Sequence, residues 1–125
     1  MSSIKYCYSS NGFKKNTFEQ TFKILSDLKY DGIEIAITEE HFPKLNLLKQ
    51  TQLLNKLTAE FNLPITNIHV GEPFLLSKKP HFPSIISSEK SERLKKIDLI
   101  KESIEFANEI NCQNITITSG VLEEG

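Results

Sequence analysis

The order of apolar segments along the chain constrains the fold more than any single motif does. Short runs typical of strands lie within residues 4–10, 33–37, 64–70 and 111–120. Apolar residues at helical spacing separate these runs, at residues 18–29, 47–61 and 88–110. A β-α-β-α-β-α-β order predicts an α/β protein whose parallel strands are joined by right-handed crossovers.

Two of the helices carry clear sequence signals. Thr17 and Gln20 have the spacing of a capping box, which predicts a helix beginning at Phe18. The apolar face of this helix is predicted to contain Phe18, Phe22, Leu25 and Leu28. The apolar face of the third helix is predicted to contain Ile97, Ile100, Ile104 and Ala107.

The strands are apolar on one face and polar or small on the other. In the second strand, Glu34 points to the face opposite Ile33 and Ile35. The polar faces of the third and fourth strands carry Asn67, His69, Thr116 and Thr118. An open doubly wound sheet needs two apolar faces, whereas a closed barrel directs polar residues to its interior. The pattern therefore favours a barrel.

The first strand leaves its inward face open. Either Tyr6 and Tyr8 or Cys7 and Ser9 point to the interior, and the sequence does not decide between them.

A (β/α)8 TIM barrel needs about 250 residues, and this chain has 125. We therefore expect the N-terminal half of such a barrel, a single partial domain over residues 1–125 that stops after the fourth strand. Such a chain would be a shortened gene product, a piece of a longer protein, or a half-barrel that pairs with another chain.

Charge and cysteine content narrow the classes of partner. The net charge is −1 and no basic stripe stands out, which argues against nucleic acid as a partner.

Cys7 and Cys112 show no metal-type spacing and are expected to be free thiols. With no signal peptide and no membrane-length apolar run, the expected location is the cytoplasm, with no membrane partner.

Three stretches resemble one family, the xylose isomerase-like TIM barrels, which include sugar-phosphate isomerases and epimerases and the endonuclease IV group. They are "LKYDGIEIAI", "LPITNIHVG" and "ERLKKIDLIKESIEFANEINCQNITITSG", and the resemblance covers the whole chain. One departure is Asn111, where the family often has glycine. Asparagine also tolerates a left-handed helix cap, so the change is mild.

The resemblance implies a divalent metal ion (Mn, Mg, Zn or Co) bound by carboxylates and histidines at the carboxyl ends of the strands. Most of these ligands come from later strands of the family's barrel, so no metal ligand and no catalytic residue is assigned here. The residues expected to bind a carbohydrate or polyol substrate, or to hold a catalytic group in place, are Glu34, His69, Tyr6 and Thr118. Without the later ligands, the chain alone is expected to be inactive.

Each candidate functional residue also has an alternative, purely structural interpretation. Glu34 and His69 could each be satisfied by a neighbouring group, while His41 and His81 are expected to be surface histidines. Arg93 could bind a phosphate or form a surface ion pair. The segment 71–88 could be a lid over the site or a long loop with no role at the site.

Two other functions remain open. An endonuclease IV-like DNA-repair hydrolase would need several histidines at strand ends, and only His69 meets this requirement. A non-enzymatic receiver-like or flavodoxin-like module would need an acidic pair or a phosphate loop after the first strand. The chain reads "SSNG" after the first strand and "HVGE" at the end of the third, which disfavours both modules.

Overall fold

The computed structural model describes residues 3–122 and confirms the predicted order of strands and helices. The strands are β1 (Cys7–Ser9), β2 (Gly32–Ala36), β3 (Ile65–Val70) and β4 (Ile115–Ile117). The helices are α1 (Phe18–Asp27), α2 (Thr51–Phe61) and α3 (Lys90–Glu109). Neighbouring strands pair in parallel in the order β1-β2-β3-β4. Strands and helices thus build the α/β half-barrel expected from the sequence.

Helix α1 begins at the predicted capping box. Thr17 Oγ1 accepts a hydrogen bond from the backbone N–H of Gln20 at 3.2 Å, and Gln20 Oε1 accepts one from the N–H of Thr17 at 3.0 Å. The helix ends at Asp27, two residues earlier than predicted, because Lys29 has a left-handed φ of 64°. Leu28 therefore leaves the predicted apolar face and is 64% exposed.

The core lies between one face of the sheet and the helices. Ile33, Ile35 and Ile37 are fully buried there, as their alternation predicts. Helices α1 and α2 cover them with buried side chains that include Phe22 and Leu54.

The predicted apolar face of α3 is wrong in part. Ile104 is 54% exposed, and of the predicted residues only Ala107 is buried. The buried face instead contains Lys96, Leu99, Ser103, Phe106 and Ala107. Apolar residues occupy two sides of α3, and the side with Phe106 packs into the core, against Phe42 at 5.5 Å between ring centroids. Ser103 fits this face because its hydroxyl donates to Leu99 O at 2.7 Å.

The opposite face of the sheet is polar, and strand register shows which residues it carries. Ser9 pairs with Glu34, and Cys7 pairs with Gly32, so the side chains of Cys7 and Ser9 lie on this face. Tyr8 pairs with Ile33 and lies on the helix side. The inward face of the first strand is therefore the one with Cys7 and Ser9.

A register shift between β2 and β3 brings two polar residues of this face together. Ile33 pairs with Ile65, but the next residue, Glu34, pairs with Asn67, so Thr66 is the extra residue of a bulge. Without this bulge, Asn67 would not be paired with Glu34.

None of the helices within residues 3–122 is long and apolar enough to cross a membrane.

Candidate functional site

Three side chains form a hydrogen-bonded row across β2, β3 and β4 on the polar face of the sheet. Asn67 Nδ2 donates to Glu34 Oε2 at 2.8 Å and to Thr116 Oγ1 at 3.1 Å. Thr116 Oγ1 in turn donates to Asn67 Oδ1 at 3.3 Å. We call Glu34, Asn67 and Thr116 the polar layer. Glu34 is half-buried, and the amide provides the partner that a partly desolvated carboxylate requires.

His69 and Thr118 converge one step closer to the carboxyl edge of the sheet. A Cβ atom built on Gly71 would lie 2.6 Å from His69 Nε2 and 3.1 Å from Thr118 Cγ2. Glycine at position 71 therefore leaves room for the imidazole. His69 is paired with Ala36 and Thr116, so it continues the face that carries the polar layer.

A cleft of about 210 Å³ lies among the loops that follow β1, β2 and β3. It is lined by Lys14, Glu39, Glu40, Glu72, Phe74 and Leu75. Lys14 Nζ lies 2.7 Å from Glu72 Oε2, and this ion pair joins the loops after β1 and β3. The hydrogen bond to Glu72 raises the pKa of Lys14 against the opposing effect of burial, and the charges of Glu72 and Glu40 raise it further.

The segment 71–88 is fixed at the carboxyl edge of β4. The backbone N–H of Ile85 donates to Ser119 O at 3.1 Å. Arg93 Nη1 donates to the carbonyls of Ser87 and Ser88, each at 2.7 Å. Arg93 therefore holds the end of this segment, and among the described residues it forms no ion pair.

Comparisons with known proteins agree with this geometry at the level of the fold. The sequence matches no protein-family model and no curated protein. One similar solved structure is 3-keto-D-glucoside 4-epimerase from E. coli, with a TM-score of 0.66 and 19% identity. A second is AP endonuclease, family 2, from Brucella melitensis, with a TM-score of 0.69 and 14% identity.

The chain has the α/β barrel fold of these two solved structures, over part of their length. It aligns over 90% and 97% of its own length but spans only 37% and 43% of the two solved chains. It is thus a half-barrel, as expected from its four parallel strands. In such a barrel the polar face of the sheet is the interior and the helices are outside.

The half-barrel does not bring Tyr6 together with the other predicted site residues. The Tyr6 N–H donates to Asp31 Oδ2, and the Tyr6 carbonyl accepts from the Asp31 N–H, at the amino end of the sheet. Tyr6 is 65% exposed and lies beside Leu28 and Tyr30. Glu34, His69 and Thr118 share the interior face instead. Tyr6 therefore lies apart from the candidate site.

His41 is buried, so its prediction as a surface histidine is wrong. It is 6% exposed and stacks on Phe18 at 4.6 Å between ring centroids. His41 Nε2 lies 2.9 Å from Asn16 O, which can only accept, so Nε2 carries a proton. His41 joins the loops after β1 and β2. His81 is partly exposed.

The residues of this half-barrel do not on their own fit the metal that the resemblance implies. Within residues 3–122, no three His, Cys, Asp or Glu side chains are grouped as metal ligands would be. Asn67 and the Lys14–Glu72 pair are the features that sequence reasoning missed. The sequence does contain a signal for Asn67, because Asn67 and His69 lie on the same face of the third strand. Nothing in the sequence indicates that Lys14 pairs with Glu72.

Proposed function

We propose that the protein is an isomerase or epimerase of the xylose isomerase-like type, acting on a sugar, sugar phosphate or polyol in the cytoplasm. Its chemistry would be proton transfer at a carbon next to a carbonyl group. The observation that carries this proposal is the polar layer, which leads along the barrel interior to His69 and Thr118. One of the structural neighbours is itself an epimerase of a keto-glucoside.

The interior face suits a substrate rich in hydroxyl groups. Glu34 accepts hydrogen bonds, Thr118 can donate or accept, and the His69 imidazole can do either, depending on its tautomer. These three side chains would bind and orient hydroxyls along the wall of the barrel.

We infer that the proton-transferring base and most of the divalent metal ligands lie outside the described half-barrel, in which no group of three metal ligands is found. A metal ion, when bound in the complete site, would polarise the substrate oxygens. We therefore propose that the half-barrel provides substrate contacts and is inactive until further parallel strands close the barrel. Those strands would come from elsewhere in a longer protein or from a second copy of the chain.

An endonuclease-like hydrolase is the second candidate, since the AP endonuclease structure aligns with nearly all of the chain. Two features of the site count against it. Thr118 directly follows β4, at a position where an endonuclease IV-like site would need a further histidine. The cleft at the carboxyl edge also contains three carboxylates, which would repel a phosphate backbone.

Deuterium exchange separates the two functions. The complete barrel, with the strands that close the half-barrel present, is incubated in D₂O with a panel of ketoses, sugar phosphates and 3-keto-glucosides, with Mn²⁺, Mg²⁺, Zn²⁺ or Co²⁺ added in turn. NMR should show deuterium replacing hydrogen next to the carbonyl of one substrate, and Glu34→Gln should slow this exchange. Glu60→Gln, a change of an exposed residue on α2, is the matched control. Cleavage of DNA containing abasic sites, without any exchange, would contradict the proposal.

A further inference from the structure

Within residues 3–122, Glu34 uses one carboxylate oxygen in a hydrogen bond and leaves the other without a partner. Oε2 accepts the hydrogen bond from Asn67 Nδ2 at 2.8 Å. No described residue donates to Oε1, and this atom is not among the buried polar atoms without a partner. Oε1 therefore reaches solvent on the interior face.

The orientation of the Asn67 amide is fixed by its two neighbours. A carboxylate can only accept, so the amide must turn its NH₂ group toward Glu34. Thr116 bonds to both ends of the same amide, at 3.1 Å to Nδ2 and 3.3 Å to Oδ1. Asn67 is thus anchored on β4 while it holds the carboxylate on β2.

We infer that Asn67 is a positioning residue that holds Glu34 so that its free Oε1 accepts a hydroxyl of the substrate. An ionised oxygen of this kind binds a hydroxyl donor and repels a phosphate or carboxylate group. The part of the substrate that contacts Glu34 is therefore an uncharged hydroxyl. This inference rests on the proposed function for its substrate, but the Glu34–Asn67 contact can be tested without it.

The first experiment needs no substrate. In ¹⁵N-labelled protein, the side-chain amide of Asn67 should have one proton shifted downfield by the carboxylate, and Glu34→Gln should remove that shift. The side-chain amide of Asn114, which donates to Thr66 O at 3.1 Å on the same sheet, should stay unchanged. An Asn67 amide signal that is insensitive to Glu34→Gln would overturn the inference.

Swapping the carboxylate and the amide between positions 34 and 67 tests whether their contact stabilises the fold. Asn67→Asp places two carboxylates together and should raise the unfolding equilibrium constant roughly tenfold. Adding Glu34→Gln restores a donor–acceptor pair with its polarity reversed, and the urea midpoint should recover. Gln113→Glu, at an exposed position in the turn before β4, controls for the added charge.

The KM of the exchange reaction, measured on the complete barrel, then tests whether the free oxygen of Glu34 binds the substrate. In the double variant, a neutral amide oxygen replaces the free carboxylate oxygen, so KM should stay about tenfold raised while kcat changes little. Recovery of KM together with stability would show that the free oxygen of Glu34 does not bind the substrate and would overturn the inference. If the complete barrel exchanges no substrate but the amide signals behave as expected, the proposed function fails and the Glu34–Asn67 contact stands.

Discussion

Asn67 Nδ2 lies 2.8 Å from Glu34 Oε2 because a bulge at Thr66 shifts β3 by one residue against β2. The bulge keeps Ile65 and Ile68 both buried on the helix side. It also places Asn67 beside Glu34 on the interior face. One irregularity of the backbone therefore serves both the core and the candidate site.

Gly71→Ala should move His69 with little loss of stability. The added Cβ would meet the far end of the imidazole, which can rotate away, so we expect a cost below about 1 kcal/mol. The NMR signals of the His69 ring should shift, and a urea titration gives the stability.

Gly120→Ala is the comparison variant for this test. Gly120 has a φ of 103°, and its Cβ would lie 2.8 Å from Ser84 Cα, so a larger loss is expected there. Equal losses for the two variants, or an unmoved His69, would contradict the placement of the imidazole over Gly71.

Lys14→Met should lower stability near neutral pH by roughly 0.5 kcal/mol, because a partly exposed ion pair is screened by solvent. Glu72 raises the pKa of Lys14 above 10.5, so the stabilisation is fully present below pH 10.5. It is lost as the pH rises through the raised pKa.

Urea midpoints measured from pH 7 to pH 11.5 check this dependence, with Lys15→Met as the control for an exposed lysine. The deficit of Lys14→Met should close at the alkaline end. A deficit that widens there would argue against the Lys14–Glu72 pair.

Lys96→Met should stabilise the protein by roughly 1 kcal/mol near neutral pH. Lys96 is 7% exposed on α3, and its ammonium group forms no hydrogen bond or ion pair with a described residue. Burial lowers the pKa of Lys96, so the unfolded state binds more protons between the lowered pKa and 10.5. Within that range the stability of the unmodified protein rises with pH.

The advantage of Lys96→Met should therefore shrink as the pH approaches 10.5. Thermal unfolding at a series of pH values measures it, and Lys101→Met, on an exposed position of the same helix, is the control. A destabilised Lys96→Met variant at pH 7 would mean that the ammonium group has a favourable partner.

His41→Phe should cost about 1–3 kcal/mol although it keeps an aromatic ring beside Phe18. The substitution leaves Asn16 O without its 2.9 Å donor at a partly buried position. Chemical denaturation measures the loss, with the exposed change Tyr6→Phe as control. A stability equal to that of the unmodified protein would show that water replaces the imidazole at no cost.

Periodicity and capping predicted most of the fold. The alternation around Glu34 and the Thr17–Gln20 capping box gave β2 and the start of α1 correctly, because both signals are local. The buried face of α3 could not be chosen, since Ile104 and Phe106 lie on different sides of a helix that is apolar on both. Only packing against the sheet decides between them.

The candidate site was less predictable than the fold. Glu34 and His69 follow from alternation within their strands. The contact between Glu34 and Asn67 depends on strand register and a bulge, and the Lys14–Glu72 pair joins residues 58 positions apart. The inward face of β1 was open for the same reason, because its pairing with β2 decides it.

The most direct test of the account asks which surface of the half-barrel binds the substrate. The ¹⁵N-labelled protein is titrated in turn with a panel of ketoses, sugar phosphates and polyols and followed by NMR. We predict that the side-chain amide of Asn67 and the backbone amides of His69, Gly71 and Thr118 shift, while those of Tyr6 and Leu28 do not. Shifts confined to Tyr6 and Leu28, or an interior face that does not respond at all, would contradict it.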